Sequence, residues 1–240
     1  MRSVWRTRVR DRLGLDPDLA RDIALVCLAD GVVGLAFGAI TVGAGLPFWL
    51  PMLLSVLVFA GAAQFLFVGI VASGGNPVAA VLAGLLVNAR HVPFGFAVAD
   101  VLGRGWARKA VGSHVMIDES VAFVMAQDTP SRRRAAYWTC GVGLFVCWNL
   151  GVLAGALAGT VVGNTNALGL DAAFPAVLLA LVLPSLRDRV TRRAALTGAA
   201  IAVATSPFLQ PGLPVLLARA AMLLVRRSAP AENVESEVRS

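Results

Sequence analysis

The chain has 240 residues, 58% of them hydrophobic and only 15% charged, with a mean hydropathy of +0.76 and a formal net charge of +7. This excludes an ordinary soluble domain, because apolar stretches of 18 or more residues read as transmembrane helices, and the short alternation of barrel strands is missing. The positive charge sits in the N-terminal tail and in short loops between apolar runs, a pattern of membrane orientation and not of nucleic-acid binding.

Residues 1–22 form a basic tail. Trp5, Val9 and Leu13 fall on one helical stripe, consistent with an interfacial helix or with a solvated tail. Asp16-Pro17-Asp18 predicts a helix start, with proline at the first helical position and acid near the positive end of the dipole. The first span is expected over 23–45. Its Gly31, Gly34 and Gly38 would allow close helix approach. Asp30 lies within it, either as a functional carboxylate or at headgroup level. Trp49 in the following loop fits an interfacial anchor.

The second span, over 50–73, contains Gly61 and Gln64. Asn76-Pro77 opens a third, over 77–102, which holds Asn88, Arg90 and His91. An Arg at the bilayer centre costs about 2.5–3.5 kcal/mol on insertion scales. Such residues point at a partner, a cavity or a substrate, or else they snorkel or glue helices together. Pro93 removes a helical hydrogen bond just after the cluster and obstructs the Ala89 carbonyl, which points to a broken-helix site or an ordinary kink.

Residues 104–134 read as a polar linker. The stretch around Asp118 and Glu119 is too polar for a lipid-facing span; it either crosses inside the bundle or lies as a re-entrant or interfacial helix. The two acids point about 100° apart on a helix, so one at most is expected to face a given cavity. The second half offers spans at 136–161, 172–186, 194–209 and 213–225, and 228–240 reads as a disordered tail.

A faint repeat relates 45–54 to 169–179 and pairs the break at Pro93 with one at Pro207, giving candidate repeats 23–103 and 136–227 inside one transmembrane domain over 23–227. The fold class is therefore all-α: a polytopic helical integral membrane protein of about seven spans, six to eight in range. If the 111–128 stretch crosses, both ends lie inside; if not, the N-terminus lies outside. Cys27, Cys140 and Cys147 lie in apolar runs without zinc spacing, so free thiols and no metal or cofactor are expected.

The blocks Phe59-Ala60-Gly61-Ala62-Ala63-Gln64-Phe65, Leu86-Val87-Asn88-Ala89-Arg90-His91 and Asp118-Glu119 together resemble the AzlC family of branched-chain amino acid permeases, from about Asp30 to Met222. The resemblance implies a multi-pass protein of the bacterial inner membrane. It implies export of Leu, Ile, Val and in some cases Met, and a small hydrophobic AzlD-type partner subunit. Pro93-Phe94 departs from the family pattern, which often has Leu-Tyr there.

The family's binding residues are not carried over. From the polar-in-lipid argument, Gln64, Asn88, Arg90 and His91 are the candidate substrate ligands. Arg90 would take a carboxylate, and His91, Asp118 and Glu119 would relay protons. Gly61, Pro93 and Pro207 are packing or helix-breaking positions. A channel or structural subunit remains an alternative. An intramembrane enzyme is disfavoured by the lack of His-Glu-x-x-His and Gly-x-Ser-x-Gly motifs.

Overall fold

The computed structural model describes residues 16–161, 183–187 and 189–209, and the single positions 213, 214, 217 and 218. Every regular element among the described residues is helical. The Trp5 stripe, most of the spans expected at 172–186 and 213–225, the Gly169 stretch and the 228–240 tail lie outside the described residues.

Helix α1 spans Pro17–Gly43. It starts as the sequence predicts: Asp16 caps it by accepting the Leu19 N–H at 2.8 Å, and Pro17 occupies the first turn, where no N–H is needed. After it come α2 (Trp49–Leu57), α3 (Gly61–Ala72), α4 (Pro77–Asn88), α5 (His91–Ala97), α6 (Trp106–His114), α7 (Asp118–Met125) and α8 (Pro130–Val161). A 3₁₀ turn over Leu183–Arg187 and α9 over Arg189–Thr205 complete the described elements.

Helices α1 and α8 form the spine, and they run parallel. Asp16 pairs with Arg132 at one end, and farther along Gly34 lies against Trp148 and Gly159 against Ala39. A Cβ on Gly34 would sit 2.7 Å from the Trp148 carbonyl oxygen, and Gly38, Gly151 and Gly155 lie closer still to the facing backbone. The glycine faces of both helices are thus consumed inside the chain. Small residues let the backbones touch, and close van der Waals packing is what joins helices in lipid.

Arg133, in the first turns of α8, donates to Asp100 at 3.0 and 3.1 Å, to the Ala97 carbonyl and to the Val124 carbonyl. The ends of α5 and α7 therefore lie at the same end of the spine as Asp16. Moving along α8, Tyr137 donates to the Gly112 carbonyl, Gly141 touches Val115, and Phe145 meets His114. Helix α6 thus climbs from this end to mid-depth, and α7 returns. The 106–125 stretch is a re-entrant hairpin. Its helices are nine and eight residues long, about 14 and 12 Å, too short to cross a ~30 Å hydrocarbon layer.

The second span expected at 50–73 is a correction. It is interrupted at Val58–Ala60, with Phe59 at φ 41°, a left-handed backbone that is strained for a bulky residue. Helix α2 descends from the far end of the spine to mid-depth. Helix α3 then turns back: Gly61 touches Trp148, and Phe65 packs edge-on against Phe37 at 5.1 Å. This is a second re-entrant hairpin, entering from the opposite end.

The span expected at 77–102 is present as Pro77–Ala97, one of three described helices long and apolar enough to cross a membrane, with Pro17–Gly43 and Pro130–Thr160. Its interruption falls at Ala89–Arg90, ahead of Pro93, which sits in the first turn of α5 where a missing N–H is tolerated. Nor is the Ala89 carbonyl free: it accepts the Val92 N–H at 3.2 Å. The span expected at 136–161 starts at Pro130, six residues earlier. Pro207 lies in the turn after α9, consistent with a helix end.

The charge distribution follows this topology. Between 16 and 161, Asp30, Arg90, Asp118 and Glu119 lie at mid-depth. Every other charged residue sits at the end carrying Asp16, Asp100 and Arg132–Arg134, and the opposite end, 43–49 and 72–77, has none.

Candidate functional site

The two hairpin tips, the interruption in the third span and the spine meet around one cavity of about 270 Å³. The α2–α3 tip contributes Phe59, Ala60, Gly61 and Ala62. The interrupted span contributes Arg90 and His91, and the α6–α7 tip Ile117, Asp118 and Glu119. Asp30, Val33 and Trp148 come from α1 and α8. The volume is just below the ~300–1,000 Å³ of pockets for drug-sized ligands and suits a molecule of amino-acid size.

Three features shape its chemistry. Arg90 Nη1 forms an ion pair with Asp118 at 2.8 Å, which holds the broken span against the hairpin tip. Asp30 and Glu119 form no ion pair among the described residues, so the cavity carries carboxylates in excess of Arg90. The first turn of α3 faces the cavity through Ala60–Ala62; Gln64 N–H is the first to find a helical acceptor, the Ala60 carbonyl. A helix start of this kind presents backbone donors and the positive end of a dipole. The remaining wall is Phe59, Val33, Ile117 and the Trp148 indole.

Of the residues expected from sequence, Arg90, His91, Asp118, Glu119 and Gly61 are brought together here. The expectation that Asp118 and Glu119 could not share a cavity is corrected: they are the first two residues of α7, at a helix end that faces the cavity, so the 100° between them does not separate them. Gln64 and Asn88 do not line it. Among the described residues, neither amide atom of Gln64, which is 1% exposed, has a hydrogen-bond partner, nor does the buried Asn88 Oδ1. Pro93 lies beyond the interruption. His91 Nδ1 bonds the Asn88 carbonyl at 3.0 Å, which fixes the ring beside the break.

Two contacts escaped the sequence reading. Trp148 stacks against Phe37, with Phe65 edge-on, and its buried Nε1 has no partner among the described residues. A tryptophan in mid-span, whose N–H needs an acceptor, is the signal that could have found it. His114 Nε2 donates to the Val56 carbonyl at 2.8 Å, one of the groups left over where α2 ends. It joins the arms of the two hairpins. No local pattern marks that contact, which spans 58 residues.

The AzlC protein family model matches residues 25–162. A Bacillus subtilis protein described as "Branched-chain amino acid transport protein AzlC" is 27% identical over 212 residues, covering 86% of this chain and 82% of its own. An uncharacterized membrane protein of Haemophilus influenzae is 24% identical over 71% of each chain. One of Helicobacter pylori is 22% identical over 72% of this chain and 76% of its own. No solved structure matches.

Proposed function

The chain belongs to the AzlC family, and we propose that it is a secondary carrier of branched-chain amino acids, Leu, Ile, Val and also Met, working in the export direction across the bacterial cytoplasmic membrane. The observation that carries the reading is the mid-depth cavity, where two hairpin tips from opposite ends meet a broken span. Discontinuous helices around a midplane site are the usual construction of secondary transporters, and alternating access needs a site that both ends can reach. The Bacillus subtilis relative's description supplies the substrate class.

In this reading the substrate carboxylate lies over the first turn of α3 and against Arg90. Its ammonium faces Asp30 and Glu119, and its aliphatic side chain packs on Val33, Phe59 and Trp148. Release of Asp118 from Arg90 would give His91, Asp118 and Glu119 a route to exchange protons, coupling export to the proton gradient. The end rich in arginine faces the cytoplasm, as basic residues beside spans prefer, and so does the start of α1: because 50–73 turns back as well as 106–125, two spans and not three precede Arg132, which reverses the expected side of the N-terminus. A small hydrophobic AzlD-type subunit completes the carrier. Its docking face is not the glycine stripes, which α1 and α8 use on each other.

Reconstituted vesicles test this. Saturable leucine flux that responds to a pH gradient is expected. Arg90→Lys keeps the charge but loses the planar fork and should reduce flux by about tenfold, whereas Arg104→Lys in the α5–α6 loop should not. Unsaturable flux would make the protein a channel, and equal activity of both variants would remove Arg90 from the site.

A further inference from the structure

A second groove lies away from the central cavity, at the arginine-rich end, between the α5–α6 loop, α6 and the start of α8. Its volume is about 520 Å³. Val101, Leu102, Val111 and Trp138 form an apolar wall, and Arg108 and Arg134 stand on it. Trp138 is held in place, because its Nε1 donates to the Val101 carbonyl at 3.2 Å. Tyr137, in the core beneath, ties α6 to α8 by donating to the Gly112 carbonyl.

Both arginines are exposed and form no ion pair among the described residues. The carboxylate that could serve them, Asp100, is occupied by the two-point fork of Arg133. Two guanidiniums above an apolar slot are complementary to an amphiphile with an anionic head. Trp106, at the start of α6, is 84% exposed and places this region at the membrane–water boundary. Basic pockets between helices on the cytoplasmic side meet the leaflet that carries acidic headgroups.

We propose that this groove binds one acidic phospholipid, with the phosphate held by Arg108 and Arg134 and an acyl chain lying along Val101, Leu102, Val111 and Trp138. The lipid would brace the loop that joins the broken span to the re-entrant hairpin. The site is separate from the central cavity and does not depend on what the protein carries.

Native mass spectrometry of the full chain, released from vesicles of phosphatidylglycerol and phosphatidylcholine with identical acyl chains, tests it. One phosphatidylglycerol should remain bound. The double variant Arg108→Gln/Arg134→Gln should retain it about 30-fold less, at roughly fivefold per basic residue. Arg104→Gln/Lys109→Gln, which removes two neighbouring charges outside the groove, should retain it like the parent. Val111→Trp fills the apolar wall with both arginines intact and should also release it.

Equal retention of phosphatidylcholine would overturn the proposal, as would parental binding by the double variant or by Val111→Trp, or equal loss in the Arg104/Lys109 control. Displacement of the lipid by millimolar inorganic phosphate alone would also overturn it, since the acyl chain would then contribute nothing.

Discussion

The two re-entrant hairpins do the same architectural work with opposite chemistry. The α2–α3 hairpin enters from the uncharged end, and its tip, Phe59-Ala60-Gly61, is apolar and built on a left-handed residue. The α6–α7 hairpin enters from the arginine-rich end, and its tip, Ile117-Asp118-Glu119, is acidic and tied to Arg90. Each follows a spanning helix that opens on an Asx-Pro pair: Asp16 caps α1, and Asn76 caps α4 by accepting the Val78 N–H at 2.8 Å. Sixty residues separate Pro17 from Pro77 and Asp30 from Arg90. The chain thus holds two helix-plus-hairpin units running in opposite directions. One unit places a carboxylate on its span and an apolar tip in the cavity; the other places a guanidinium and an acidic tip. The architecture is symmetric and the charge is not, so a zwitterion can be oriented between them.

The largest effect should come from making the acidic tip resemble the apolar one. Glu119→Gln keeps size and hydrogen bonding but removes an ionisable carboxyl from the cavity wall. Leucine kcat/KM in vesicles should fall about 10- to 100-fold, the usual worth of a charged hydrogen bond. If Glu119 relays protons, the response to a pH gradient should disappear as well. Parental flux with an intact gradient response would show that the two tips are chemically equivalent for transport.

A smaller effect is expected where the hairpins touch. His114→Ala leaves the Val56 carbonyl without its donor at an exposed contact between the two hairpins. The loss should be about 0.5–1.5 kcal/mol, seen as a lower melting midpoint in detergent. His114→Gln, which can still donate, should recover part of it. Full stability of the alanine variant would mean that the hairpins stand independently.

The smallest effect concerns the base of the acidic hairpin. Hydrogen bonding to the Arg133 guanidinium holds the Asp100 carboxyl below its ordinary value. A depressed folded-state value stabilises the protein above the unfolded carboxyl's pKa, and this is lost as pH falls through the folded value. Asp100→Asn should therefore lower the melting midpoint at pH 7, by less than about 1 kcal/mol because the carboxyl is half-exposed, and should have no effect near pH 2. An equal shift at both pH values would make Asp100 a packing residue.

Much of this molecule was legible in its sequence. The class follows from apolar length, because a backbone in lipid must bond to itself. The starts of α1 and α4 follow from Asp16-Pro17 and Asn76-Pro77, because capping is local. Arg90, His91, Asp118 and Glu119 stood out because charge in hydrocarbon is expensive, and they do converge. Three things were decided only by tertiary structure. Whether 50–73 crosses or turns back depends on Phe59, whose strained backbone persists because Phe145 and His114 enclose its ring, and both lie far away in sequence. The glycine stripes say only that some helix can approach closely; the parallel fit of α1 on α8 decides which helix it is. The inclusion of Asp30 and Trp148 in the cavity, and the exclusion of Gln64 and Asn88, turned on which helix faces meet. A sequence states how polar a residue is. The direction its helix presents it is set by contacts with chain far away in sequence.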